Sequence, residues 1–278
     1  MRIGMACGKT AMAVAAGCLL ALGVAVRAAA HAESPEVIMA DADSHYARRH
    51  EGRNGTVASP VEIAQGVEGY ARAARDPGNA EARWKLARAL YFQGTYTGLD
   101  EPARRALYAR GRGAGEEALE IVLRRHAYSG SLRSLEPAAA AALVRGDPDA
   151  APALFWTAVD WGQWGLASPK LEAARKGAAS RVRDDCLALI ALDPAFEEGG
   201  GYRVLGRLHD QAPRIPLLTG WVSRSEGVRY LRLAVAAAPR NVVNLHFLAE
   251  ALSRNADRSE AIAVEERALA ETPDPGHL

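Results

Sequence analysis

The sequence predicts an all-α chain, a superhelical stack of about five antiparallel helix pairs. Two observations carry that expectation. Small and large apolar residues recur at fixed helical offsets toward the C-terminus and again upstream. The prolines Pro77, Pro194, Pro239 and Pro273 fall where the second helix of successive pairs should stop, since proline cannot continue a helix.

Arg2 and Lys9 come first in the chain, ahead of sixteen apolar or small residues from Ala11 to Val26, and Ala30-His31-Ala32 offers a small-residue cleavage site. The expectation is a secretory signal over residues 1–32, a single helical domain over 33–278, and a periplasmic protein. The run is shorter than the roughly 20 residues a membrane-spanning helix needs. Ala15-Ala16-Gly17-Cys18 loosely matches a lipoprotein cleavage site, which would tether the chain to a membrane through Cys18. Against that, Leu19-Leu20-Ala21-Leu22 prolongs the apolar run where a lipidated cysteine should open a polar chain.

The chain has 34 basic and 33 acidic residues; Arg2, Lys9 and Arg27 lie in the signal segment, which has no acid, so 31 bases face 33 acids beyond it. No basic field remains to attract nucleic acid, or a membrane unless the chain is lipidated. Of the three cysteines, Cys7 and Cys18 also lie in that segment, so the remainder keeps Cys186 alone and must rely on packing rather than a disulfide. Cys186 reads as a small buried apolar residue within a helix.

The first pair is expected over Glu36–His50 and Pro60–Arg75, joined by a Gly/Asn-rich turn from Gly52 to Ser59 and closed by Asp76-Pro77. The second pair has Leu86-Ala87, Leu90, Gly94 and Tyr96 in its first helix; Glu101-Pro102 opens a second helix running to about His126. Ala127–Asp147, with a short Ala-rich helix after Pro137, links this pair to a third over Asp149–Leu166 and Lys170–Leu192. In the fourth, Tyr202, Leu205 and Gly206 are followed by a loop from Gln211 to Arg224 rich in Pro and Gly, then by Gly227, Leu231, Ala234 and Pro239.

The fifth pair is the clearest: Leu245, Leu248, Ala249, Leu252, Ala261, Ala268 and Pro273 stand at offsets 4, 7, 8, 11, 20, 27 and 32 of a 34-residue frame. These are the offsets of tetratricopeptide repeats, where small residues let paired helices approach and large ones fill the groove between neighbours. Glu265 departs from the aromatic usual at offset 24.

Chemistry-bearing motifs are sparse. There is no G-x-S-x-G, H-E-x-x-H, Walker loop or Cys/His cluster, and neither catalytic residues, a metal nor a cofactor is expected. Gly199-Gly200-Gly201 lacks the preceding strand and following lysine of a phosphate loop and should let the chain bend. His45 and His50 are five apart, on poorly matched helix faces for a metal. Asp184-Asp185 and Glu197-Glu198 are adjacent pairs whose side chains diverge.

The unusual segment is Phe155–Trp164, which holds Trp156, Trp161 and Trp164, three of the chain's five tryptophans. Trp156, Val159 and Asp160 share one helical face, Trp161 and Trp164 another, so the helix should be central. It forms either a thick core or the wall of an aromatic-lined cavity. A buried Asp160 would need a partner, and Arg203 or Arg207 are candidates.

Ala82–Tyr91, Pro152–Trp164 and Gly200–His209, together with Pro213, Pro216 and Thr219-Gly220-Trp221, resemble the T component of tripartite ATP-independent periplasmic (TRAP) transporters. The resemblance implies an all-α solenoid with a tunnel, serving a periplasmic solute-binding protein that feeds a membrane symporter, and a homo-oligomer as one form. It implies no catalysis. With the aromatic pattern, it makes Trp84, Tyr91, Phe155, Trp156, Asp160, Trp161, Trp164, Tyr202, Arg203, His209 and Trp221 the candidate ligand or partner residues, for an apolar or organic-acid ligand. The rival expectation is a general scaffold for envelope proteins or peptides, with Arg83, Asn241 and Asn244 presented on the concave helices.

Overall fold

The computed structural model describes residues 34–272; the expected signal segment, its cleavage site, Cys7, Cys18 and Pro273 lie outside the described residues. Among the described residues there are twelve α-helices and one 3-10 turn, and the only other pairing is an isolated bridge of Asn54 with Val57. The all-α expectation holds, as a stack of helix pairs.

The early helices share a start signal. Ser34 and Ser59 each accept a backbone N–H and are followed by proline at the first helical position, opening α1 (Pro35–Ala47) and α2 (Pro60–Ala73). Asn79 and Asp100 cap α3 (Ala80–Tyr96) and α4 (Glu101–Arg125) by accepting from Ala82 N and Ala103 N at 2.8 and 2.9 Å. The linker then holds a 3-10 turn (Leu132–Ser134) and the short α5 (Pro137–Leu143).

The third pair departs from expectation in its second helix. After α6 (Ala150–Leu166), the stretch read as one helix is two, α7 (Lys170–Arg175) and α8 (Ala178–Leu192), because Gly177 adopts φ +69° and reverses the helical path. Cys186 is fully buried in α8, and burial pushes its thiol well up, in line with a packing role.

The fourth pair is α9 (Phe196–Gln211) and α10 (Arg224–Ala237), separated by the expected long loop. Their approach is close: a Cβ on Gly206 would stand 2.6 Å from Leu231 and 3.1 Å from the Gly227 carbonyl oxygen. The first turn of α9 is not ordinary helix, since Glu197, Glu198 and Gly199 all have positive φ, at 48°, 55° and 79°. Three successive left-handed residues, two of them glutamates, are costly and need outside support. Asn244 supplies part of it, donating through Nδ2 to the Glu198 carbonyl at 2.9 Å, while Asn241 donates to the Glu198 carboxylate.

The last pair, α11 (Val242–Arg254) and α12 (Arg258–Ala270), buries Leu245, Leu248, Ala249, Leu252, Ala261 and Ala268, the six described residues of the repeat pattern.

α6 is the centre of the stack, packing on α3, α4, α8 and α9. Its approach to α4 depends on Gly111 and Gly115, four apart on one face of α4. A Cβ on Gly111 would fall 2.3 Å from the Asp160 carboxyl, and one on Gly115 2.3 Å from the Thr157 hydroxyl.

Candidate functional site

The structure sorts the sequence-predicted residues into three neighbourhoods. The largest is a run of aromatic rings crossing four units. From Tyr70 it passes to Tyr46, Phe92, Tyr96, Tyr91, Trp156, Phe155 and Phe196, with successive ring centroids 4.8 to 6.4 Å apart. Separations of this order, mostly tilted or edge-to-face, are favourable for aromatic pairs. Tyr70, Phe92 and Phe155 are buried, whereas Tyr46, Tyr91, Tyr96, Trp156 and Phe196 keep accessible surface. The run therefore joins fully buried rings to partly buried ones packed against the core.

Cationic groups flank it. The Arg88 guanidinium lies 3.9 Å from the Tyr46 ring and 5.3 Å from that of Trp84, and Arg49 lies 4.4 Å from Tyr46. Arg203, on α9, donates to Asn244 Oδ1 at 2.9 Å. Burial lowers the Arg203 proton affinity, opposed by the charges of Glu197 and Glu198. Burial also pushes the Tyr46 and Tyr91 hydroxyls up, Tyr91 well above the usual phenol range, so both stay protonated donors. Trp84 is held at the edge of this region: its indole N–H donates to Asp149 at 2.8 Å, and Arg125 donates to the other oxygen of that carboxylate at 2.7 Å.

Trp161 and Trp164 belong elsewhere. Both are buried, stacked edge-on at 5.5 Å, and capped by the Arg112 guanidinium at 4.2 and 4.4 Å. The Trp161 N–H donates to Glu116 at 3.0 Å, on an oxygen that also receives Arg181 at 2.9 Å. No ring contact joins these two to the aromatic run among the described residues, so they read as packing between α4, α6 and α8.

His209 and Trp221 form the third neighbourhood. The His209 ring is edge-on to Trp221 at 5.4 Å and stacked on Tyr230 at 5.7 Å, with Arg183 over Trp221 and Arg229 over Tyr230. Its Nδ1 accepts the Ser223 N–H at 3.2 Å, which requires the neutral ring there. Burial, with Arg229 and Arg183 nearby, holds its pKa below the usual imidazole range, against the pull of Glu226. Tyr202 is partly exposed on α9 and joins none of these ring stacks.

Two sequence expectations fail. Asp160 is fully buried, but neither Arg203 nor Arg207 reaches it; Arg203 binds Asn244 and Arg207 binds Glu250. Both Asp160 oxygens lack a hydrogen-bond partner, and burial pushes its pKa well above the carboxylate range. The acid is pressed against the Gly111 backbone instead. The peptide-presenting set of the rival reading also fails, because Arg83, Asn241 and Asn244 are all buried. Arg83 donates to the Asp76 and Asn79 carbonyls at 2.6 and 3.0 Å, and the two asparagines hold the left-handed turn.

Sequence reasoning missed Tyr46, Tyr70, Phe92, Tyr96, Phe196, Arg49 and Arg88. A signal existed for one of them: Trp84, Arg88 and Tyr91 stand at i, i+4 and i+7 on α3 and share a face. The contributions of α1 and of the start of α9 depend on how distant units pack.

Two surface depressions lie apart from the aromatic run, one beside His246, Glu250, Arg254 and Ile262, the other beside Glu116, Arg133, Arg181 and Asp185, where Glu116 holds the Trp161 N–H. In the second, Arg133 grips the buried Asp185 with two bonds of 2.8 and 2.7 Å, and burial pushes Asp185 up to about 6 against that pull. Among the described residues, no group of three or more His, Cys, Asp or Glu could hold a metal ion, and no helix is long and apolar enough to cross a membrane. The chain matches no family model and is similar to no curated protein sequence.

Proposed function

We propose that this chain is a non-catalytic periplasmic accessory of solute uptake of the TRAP type. The accessible rings Tyr91 and Trp156 would take an apolar or organic-acid ligand, and a periplasmic solute-binding protein would be the partner. The observation that carries the ligand half is the continuous aromatic run across α1, α3, α6 and α9. Five of its rings are partly buried, packed on the core yet keeping some accessible surface, with Arg88 and Arg203 beside them. The resemblance of Pro152–Trp164 and Gly200–His209 to the T component supports the partner half.

Ligand titration followed by tryptophan emission tests the first half. Trp156→Leu and Tyr91→Leu are expected to weaken binding of an apolar organic acid about tenfold or more, equivalent to about 1.4 kcal/mol. Equal binding by wild type and variants, or variants altered only in stability, overturns it. For the second half, affinity purification from the native envelope should recover a solute-binding protein; recovery of none overturns that assignment.

A further inference from the structure

The long loop between α9 and α10 carries a feature that folding does not explain. Leu217 sits at φ +67° with its side chain fully exposed, and Pro216 and Leu218 beside it are exposed as well. A leucine pays a steric cost in the left-handed region that glycine would avoid. An apolar side chain in water recovers none of that cost by burial. Both penalties fall on one residue at the tip of the insertion.

The tip is held firmly. The buried Thr219 hydroxyl donates to the Pro213 carbonyl and accepts the Ile215 N–H at 2.9 Å, while the Thr219 and Leu218 N–H groups both return to the Ile215 carbonyl at 2.9 and 3.1 Å. Val222 is buried, and Trp221 is clamped between His209 and Arg183. The leucines are presented by a braced turn.

Charge along the loop has one sign. From Gln211 to Ser225 the chain has no acid, and Arg214 and Arg224 are exposed without a carboxylate partner among the described residues. The flanking acids are neutralised, Asp210 by Arg254 and Glu226 by Arg229 at 2.7 Å.

We infer that this tip is a lipid-contacting wedge, inserting Leu217 and Leu218 into the surface of an anionic bilayer while Arg214 and Arg224 meet the headgroups. An exposed apolar point between two exposed arginines in the chain, with no acid between them, suits an acyl layer beneath phosphates. A protein partner would call for a broader apolar patch with a polar rim. This contact is independent of the aromatic run and of any ligand there.

The test is hydrogen–deuterium exchange of the full chain with phosphatidylglycerol-containing vesicles, phosphatidylcholine vesicles, or none. The readout is confined to residues 212–222, because the apolar run 11–26 offers lipid a second attachment. Anionic vesicles should slow exchange of this segment about fivefold or more, and Leu217→Ser should abolish most of the slowing. Leu217→Gly should also lose the slowing while keeping or raising Tm, since it relieves the backbone strain. Unchanged exchange of 212–222 with vesicles, or equal slowing in Leu217→Ser, overturns the wedge. Equal slowing on phosphatidylcholine overturns the role of the two arginines.

Discussion

Asn244→Ala is expected to lower the unfolding free energy by about 2 kcal/mol or more, because three bonds of one buried side chain are lost, one of them to a charged group. Asn244 is fully buried, and its side chain bonds the Glu198 carbonyl, the Ala234 carbonyl at 3.0 Å and the Arg203 guanidinium. The Ala234 carbonyl keeps its helical partner, the Ala238 N–H. Arg203 and the Glu198 carbonyl lose the bonds described here. The left-handed turn at Glu197–Gly199 then loses part of its support, so the loss should exceed that of an ordinary buried asparagine. Denaturant titration measures it; a loss under about 1 kcal/mol, that of a typical single hydrogen bond, would show that the turn is held by other contacts.

The second large effect concerns Asp160, where the expected pH dependence runs opposite to that of a salt-bridged carboxylate. Its folded pKa is raised by burial, so the folded state binds the proton more tightly than the unfolded chain. Stability from this group is complete below the unfolded carboxyl value of about 3.9. It falls as pH rises from there toward the raised folded pKa, by up to about 1.4 kcal/mol per pH unit. Asp185, raised to about 6, adds a slope of the same sign between the unfolded carboxyl value and about 6. Asp160→Ala should remove the Asp160 slope and raise stability at neutral pH, since two buried, unpartnered oxygens disappear with it. Gly111→Ala alone should cost about 2 kcal/mol or more, because its Cβ would lie 2.3 Å from that carboxyl with little room to yield. Combined with Asp160→Ala, most of that cost should vanish. Stability measured across pH for the four chains of this cycle checks both statements, and strictly additive losses would refute the contact.

The repeat was legible because its chemistry is local. Leu245, Leu248 and Ala249 share a helical face whatever surrounds them, and the prolines punctuate the chain without help from tertiary contacts. The loop between α9 and α10 could be read for the same reason, from its Pro and Gly steps. The break at Gly177 could not, because a lone glycine in a helical pattern does not announce which sign of φ it will take. The left-handed glutamates were less accessible still, since their support comes from Asn241 and Asn244, more than forty positions away. At the candidate site, Tyr91, Phe155 and Trp156 meet, whereas Trp161 and Trp164, expected on another face of α6, pack between α4, α6 and α8. Sequence could see that α6 was aromatic on several sides; which side met α3 and which met α4 was decided by Gly111 and Gly115.

The position of α6 also bears on how the chain comes apart. In an ideal solenoid each unit touches only its neighbours, and unfolding can spread from either end one unit at a time. Here one helix ties α3 and α4 to α8 and α9, so the middle three units form a single cooperative block. The α11–α12 pair makes its principal contacts outside itself with α9 and α10 alone. That end can fray ahead of the block, and its loss would take away the support that Asn241 and Asn244 give to the turn at Glu197–Gly199.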